Sequence, residues 1–292
     1  MTIDSIVQEV VDAFLRAVDG EAPGLVEGLY LSGSVALGTF RPRMSDIDFV
    51  AVTAAPPNAS ALAALERAHL RLRRHRRRPF FDGVYATWDE LAHNPAAATR
   101  GPFAHEGRFH YRADTTASSP VDWHTVARYG VAWRGPVPQS IDIWADPNVL
   151  ISWTVRNLDD YWRPRRELCS KLLPLGGLFA LRAHTVQEGV LGVTRLHYTI
   201  ATGDITSKQG AGLYALETFP NTWHQLVNEC LRIRRGGEGR SLYWEPLLRR
   251  REGLAYMDMV IDDAHRLAAE RLLDQQAEAA RSLPRVPIHR SA

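Results

Sequence analysis

The stretch LSGSVALGTFRPRMSDIDFVAV, residues Leu31–Val52, reads in order as a strand end, a polar glycine-bearing turn, a short helical segment, a loop and a second strand with an acidic head. Alternation along a strand sends residues two apart to the same side, about 6.5 Å from each other. Asp46 and Asp48 therefore point together and reach the same hard cations. Side-by-side carboxylates repel unless something positive stands between them, and Mg2+ with oxygen ligands and phosphates meets that need. Gly33 lets the backbone approach a phosphate closely, and Ser34 with the N–H groups of a helix start can hold the anion. A lone Asp-x-Asp also caps turns or faces water, and a lone Gly-Ser is weaker still. The information lies in the combination: Gly33-Ser34, Gly38, then Ser45-Asp46-x-Asp48 running into an apolar strand.

Outward from this stretch, Ile6, Val7, Val10, Val11, Phe14 and Leu15 recur at helical spacing over residues 4–18. Asp19-Gly20 and Pro23-Gly24 end that helix, and residues 27–31 form the buried strand that enters the turn. A basic helix is expected over 60–76, with Leu62, Leu65, Leu70 and Leu72 as its apolar face and Pro79 as its limit. Phe80–Thr87 has the aromatic and β-branched content of another strand. Asp122–Gly130 reads as a helix, after which Val131-Ala-Trp-Arg-Gly-Pro136 leads into a proline-marked junction at 137–146. Beyond it, helical periodicity dominates residues 148–163, 166–190 (interrupted at Gly176-Gly177), 190–203, 209–218, 220–234 and 244–281. The expected fold is α+β. An N-terminal domain, 1–145, has a small mixed sheet flanked by helices, and an all-helical domain, 146–283, closes a cleft against it. Residues 284–292 are expected to be a disordered tail.

The 292 residues are enough for two domains, and 45% hydrophobic with 23% charged residues is ordinary for a folded protein. No run approaches the roughly 20 apolar residues of a membrane span, and the N-terminus lacks the pattern of a signal peptide, so a cytoplasmic location is expected. Cys169 and Cys230 are expected to be buried free thiols rather than a metal framework. Only Lys171 and Lys208 among the 35 basic residues are lysines. The run Arg71–Arg78 invites a nucleic-acid reading, but the net charge is only +2 and the helix has an apolar face. A solvated outer helix is favoured, and nucleic acid is not an expected partner. His105 and His110 fall in a loop-like region without partner acids, and Arg249-Arg-Arg251 reads as an exposed face.

On its Gly-Ser and Asp-x-Asp pair, the chain resembles the DNA polymerase β-type nucleotidyltransferase superfamily. The stretch Arg195-Leu-His-Tyr-Thr-Ile-Ala-Thr-Gly203-Asp-Ile-Thr-Ser-Lys208 is similar to the helical-domain motif of the aminoglycoside (streptomycin/spectinomycin) 3″-adenylyltransferases. Asp122-Trp-His, Arg134-Gly-Pro136 and Ala215-Leu-Glu217 fall in the same order, so the resemblance covers most of residues 25–235. It implies that Asp46 and Asp48 bind metal, as a pair of Mg2+ ions, with Asp82 as third acid and catalytic base where that family often has glutamate. Asp82-Gly83 also has a plain reading as a turn dipeptide. The resemblance further implies that Gly33, Ser34, Ser45, Arg195 and Lys208 bind the nucleotide, and that ATP is the co-substrate.

In those enzymes an acidic residue ahead of the motif arginine helps bind the drug's amines; that position here is Thr185. Glu188, Asp159 and Asp160 are the nearest acids. Trp153, Tyr161 and Trp162 offer either pocket walls or core, so Glu188 and Trp162 become the candidate acceptor contacts. The implied activity, in a cytoplasmic monomer, is transfer of AMP from ATP to a hydroxyl of a small polar acceptor of the aminoglycoside or aminocyclitol type, releasing pyrophosphate. The alternatives are AMP transfer to a protein or an RNA end, and a catalytically silent, antitoxin-like protein of the same fold.

Overall fold

The computed structural model describes residues 3–95, 101–111, 119–171 and 181–282. The expected break at Gly176-Gly177 and the tail from Pro284 lie outside the described residues. The first helix, α1 (Ser5–Glu21), starts where the Asp4 carboxylate accepts the Ile6 N–H at 2.8 Å. It buries Val7, Val10, Val11, Phe14, Leu15 and Val18, a stripe of 3.6-residue period.

A six-stranded mixed sheet follows: β1 (Gly28–Leu31), β2 (Ile47–Thr53), β3 (Phe81–Thr87), β4 (Phe103–His105), β5 (Arg108–His110) and β6 (Val131–Arg134). The strand order is β5-β4-β3-β2-β1-β6, with β2 and β3 parallel and the other neighbours antiparallel. The parallel pair is joined by the crossover helix α3 (Ala59–His75), as such pairs require.

One sheet face packs on α1 and α3 through Leu29, Leu31, Ile47, Phe49 and Phe81. The other buries Tyr30, Val50, Val52, Val84 and Ala86 beneath Leu91 of α4 (Trp88–Ala92) and Trp123 and Val126 of α5 (Pro120–Tyr129). Alternation places Asp48 and Asp82 on this second face, beside each other in register.

Several expectations are corrected here. Val131–Arg134, which leads into the junction, is itself an edge strand that the sequence does not announce; it is half-buried throughout and so shows no alternation. Side chains anchor it to α1, Trp133 to Asp12 at 2.9 Å and Arg134 to Asp19 at 2.8 Å. His105 and His110 belong to a hairpin of two three-residue strands, and His105 has an acidic neighbour, Asp82 at 3.9 Å. Asp82-Gly83 is no turn but strand interior. A Cβ on Gly83 would lie 2.0 Å from the Phe49 carbonyl oxygen, so close passage of β2 demands glycine there. The apolar face of α3 is Ala64, Leu65, Ala68, His69 and Leu72, with Leu70 turned out at 45% exposure.

The C-terminal half is helical. Asp146 caps α6 (Pro147–Asn157), which passes through a π-helical turn (Leu158–Trp162) into α7 (Arg163–Ser170). The long α8 (Ala183–Thr202) is central, packed by α9 (Lys208–Thr218), α10 (His224–Arg234) and α11 (Pro246–Ser282). Its core gathers Trp162, Val190, Val193, Ile200, Leu226, Tyr256 and Val260. Trp162 is thus mostly core. Arg249 and Arg250, expected on an exposed face, are buried instead: Arg249 donates to Leu181 O at 3.0 Å and Arg250 to Cys169 O at 2.7 Å, covering carbonyls that would otherwise be left open. Cys230 is buried and free, and Cys169, also free, is only half-buried. Among the described residues, no helix is long and apolar enough to cross a membrane.

Candidate active site

The turn after β1 leads into the short helix α2 (Gly33–Ala36) and is built around Asp48. Gly33 has φ +52°, and a Cβ there would lie 1.9 Å from Asp48 Oδ2, so the carboxylate occupies the space of the missing side chain. The Ser32 N–H donates to Asp48 O at 2.9 Å, fixing the turn to β2. The Ser34 hydroxyl is buried with no hydrogen-bond partner among the described residues. The loop into Asp46 folds on itself, with Ser45 N–H donating to Arg41 O at 2.8 Å and Arg41 N–H to Ser45 Oγ at 3.2 Å.

The three candidate acids share one face and one end of the sheet but face different neighbours. Asp46 accepts from Arg78 and from Phe80 N–H, both at 3.3 Å, while the Arg78 guanidinium lies over the Phe80 ring. Asp82 accepts from Glu106 N–H at 2.7 Å and Gly107 N–H at 2.9 Å, the turn between β4 and β5. Burial pushes the Asp48 carboxyl up to about 7, helped by the like charges of Asp122, Asp46 and Asp82, with Arg195 opposing. Burial also raises Asp82, against the two turn N–H groups that favour its ionised form. Asp122, half-buried on α5 and bonded to Ser119, is raised mainly by desolvation as well.

The helical half supplies the cations. Arg195, mid-way along α8, donates from Nε to Thr206 O at 3.1 Å; burial lowers its basicity against the attraction of Asp48, Glu188 and Asp122. Lys208 opens α9 behind its N-cap Ser207, and its ammonium bonds both oxygens of Glu188, at 2.6 and 2.8 Å. Arg234, at the end of α10, reaches across to Met44 O and Ser45 Oγ, each at 2.9 Å. Gly203 ends α8 with φ +73°, and Asp204 after it accepts from His124 Nε2 at 2.9 Å and Tyr129 Oη at 2.6 Å, tying α5 to this turn.

A pocket of about 230 Å³ lies between the halves, lined by Gly33, Ser34, Ser45, Asp46, Asp48, Arg195, Lys208 and Arg234. Asp82 stands beside Asp48 in register but does not line this pocket. A second pocket, about 290 Å³, shares Arg195 and is walled by Trp153, Tyr161, Trp162, Thr199 and Thr206. Glu188 faces Lys208 rather than open solvent. Arg234, Asp122 and Asp204 were missed from sequence. A capping pattern, Ser119-x-x-Asp122, and the Thr-Gly-Asp turn were visible signals for two of them; Arg234 lies in a run of arginines that singles out none.

The donor set fits a divalent cation in its chemistry: three hard-oxygen carboxylates at one strand end, with Asp48 short of compensating charge. It is not a preassembled cage. Among the described residues, no three acid, histidine or cysteine side chains are grouped to hold a metal ion as they stand.

Both sides of the pocket lie in segments that match known family models. Residues 11–82 match the nucleotidyltransferase domain, and residues 181–250 match the C-terminal domain of aminoglycoside adenylyltransferases. The fold is similar to that of spectinomycin adenyltransferase AAD(9) from Enterococcus faecialis, solved with ATP and spectinomycin. That likeness has a TM-score of 0.59 and 14% identity, over 86% of this chain and 99% of the other. Among curated proteins, none matches the sequence.

Proposed function

We propose that this chain, a nucleotidyltransferase domain joined to an aminoglycoside adenylyltransferase-type C-terminal domain, transfers AMP from ATP to a hydroxyl of a small polar acceptor and releases pyrophosphate. The acceptor class is the aminoglycoside or aminocyclitol antibiotics, as with spectinomycin in the similar enzyme. The observation that carries this reading is the convergence of Gly33-Ser34 and Asp46-x-Asp48 with Arg195 and Lys208 on one pocket. We place the domain boundary at 145/146, where Asp146 caps the first helix of the helical half.

The triphosphate occupies the smaller pocket. Arg195, Lys208 and Arg234 meet its charge, and the Ser34 hydroxyl donates to a phosphate oxygen. The nucleoside enters the aromatic-walled pocket, which puts Arg195 at the junction between nucleoside and phosphates. Asp46 and Asp48, with Asp82, would hold Mg2+, which when bound neutralises charge on the α-phosphate and the leaving pyrophosphate. The acceptor oxygen bonds to the α-phosphorus as the bond to the pyrophosphate oxygen breaks, and the hydroxyl proton passes to an Asp82 carboxylate oxygen. Burial has already made that carboxylate more basic than usual. The Glu188 carboxylate is engaged by Lys208, so the acceptor's amines need other partners.

An assay of pyrophosphate release from ATP and Mg2+ across aminoglycosides and spectinomycin tests the reaction. Asp48→Asn should abolish release while circular dichroism stays that of the wild type. Full turnover by that variant would overturn the metal-site assignment. Label from ATP appearing on protein or RNA, with no small acceptor active, would overturn the acceptor class.

A further inference from the structure

We propose that Glu188 is an internal counterion that holds Lys208 in the nucleotide-free enzyme and competes for it with the β- and γ-phosphates. The inference rests on the nucleotide-binding reading of the pocket. Glu188 and Arg195 lie seven residues apart on α8, two helical turns and about 10.5 Å along one face. Lys208 comes from a different helix, and its ammonium spends two of its three donors on the Glu188 carboxylate. Both side chains are one-quarter exposed, so the pair is neither sealed in the core nor free in solvent. His184, one turn earlier on α8, lies 3.8 Å from the same carboxylate, and the charges of Lys208 and Arg234 also act on it. One acid thus faces cations that line the triphosphate pocket.

A partly exposed ion pair holds its partners weakly enough to exchange them. An arriving triphosphate offers Lys208 several anionic oxygens in place of one carboxylate, and the ammonium turns to it. When pyrophosphate leaves, Glu188 takes the ammonium back, and no bare cation is left in a half-buried site. Glu188 thereby weakens ground-state binding of polyphosphate and eases product release. It is a positioning residue that acts through Lys208.

Charge removal at equal size tests this. In Glu188→Gln, Mg2+-ATP and inorganic pyrophosphate should each bind about tenfold tighter by calorimetry, a change of about 1.4 kcal/mol. AMP, which lacks the contested phosphates, should shift less than about twofold, and pyrophosphate should become a stronger product inhibitor. Glu188→Asp keeps the charge and should behave as the wild type, and Glu188→Ser gives the same readout as the glutamine variant if that one folds poorly. A purely structural ion pair predicts lower thermal stability with ATP and AMP affected alike. Unchanged or weaker ATP and pyrophosphate binding in the charge-removed variants, or an AMP shift of equal size, overturns the inference and leaves the proposed function standing. Failure of ATP to bind the wild type overturns both.

Discussion

At position 33 a single missing side chain sets the geometry of the acids. The Asp48 carboxylate fills the place where any other residue would carry its Cβ, and the positive φ adds strain for any L side chain. Gly33→Ala should therefore displace Asp48 and lower pyrophosphate release by a factor of about 100, while destabilising the fold by only about 1 kcal/mol. Kinetics beside thermal melts check this; activity within a few-fold of the wild type would mean the turn can shift without moving the acid. Gly33, Ser34, Asp46 and Asp48 are legible in sequence because their relations are local, a turn and an alternating strand. Gly83 is not, because the atom that forbids a side chain there belongs to β2. Glu188 was visible as an acid near the pocket, yet its partner lies on the next helix, so composition could not tell an acceptor contact from a counterion.

In α3, the hydrophobic pattern points to Leu70, whereas the helix turns His69 inward. The imidazole packs among Phe14, Phe49, Phe81 and Phe109, with Nε2 2.7 Å from Tyr85 Oη. Aromatic neighbours from four other elements make a histidine core, and no pattern within the helix announces them. Burial pushes this imidazole down to about 3. The unfolded chain takes up a proton near the ordinary histidine value of 6.5 while the folded one stays neutral. Stability should thus fall as pH drops from about 6.5 toward 3, by at most about 1.4 kcal/mol per pH unit from this group. Urea unfolding of the wild type and His69→Gln at pH 6.5, 5.5 and 4.5 reads this, and the variant's curve should be flatter; parallel slopes would remove His69 as the source. The β4–β5 hairpin escaped notice for another reason: three-residue strands are too short to show a period.

Across the whole molecule, the two halves were legible as a sheet-bearing and a helical part, because the change in periodicity near residue 146 is abrupt. The join was not legible, since the polar contacts that accompany the packing of α5 on α6 link residues far apart along the chain. Asp204 is its hub, receiving His124 and Tyr129 of α5. Asp204→Ala leaves the buried imidazole without its partner and should weaken the join by about 2 kcal/mol. The KM for ATP should rise about tenfold with secondary structure intact; an unchanged KM would show that α5 holds its place without this carboxylate. Arg128 beside Asp204 at 3.7 Å, Arg234, and the 3.3 Å contact of Arg41 with Gln209 add to these polar links, and among the described residues none of the buried apolar clusters spans the two halves. Burial decides how ionic strength acts on this join, because the His124–Asp204 and Arg234–Ser45 contacts are buried or half-buried and such links are screened much less than exposed ones. About 1 M sodium chloride shortens the Debye length to about 3 Å yet should leave the two parts together. Small-angle scattering should record the same radius in brine, beside unchanged circular dichroism; a larger radius would mean that exposed charges hold the halves in place.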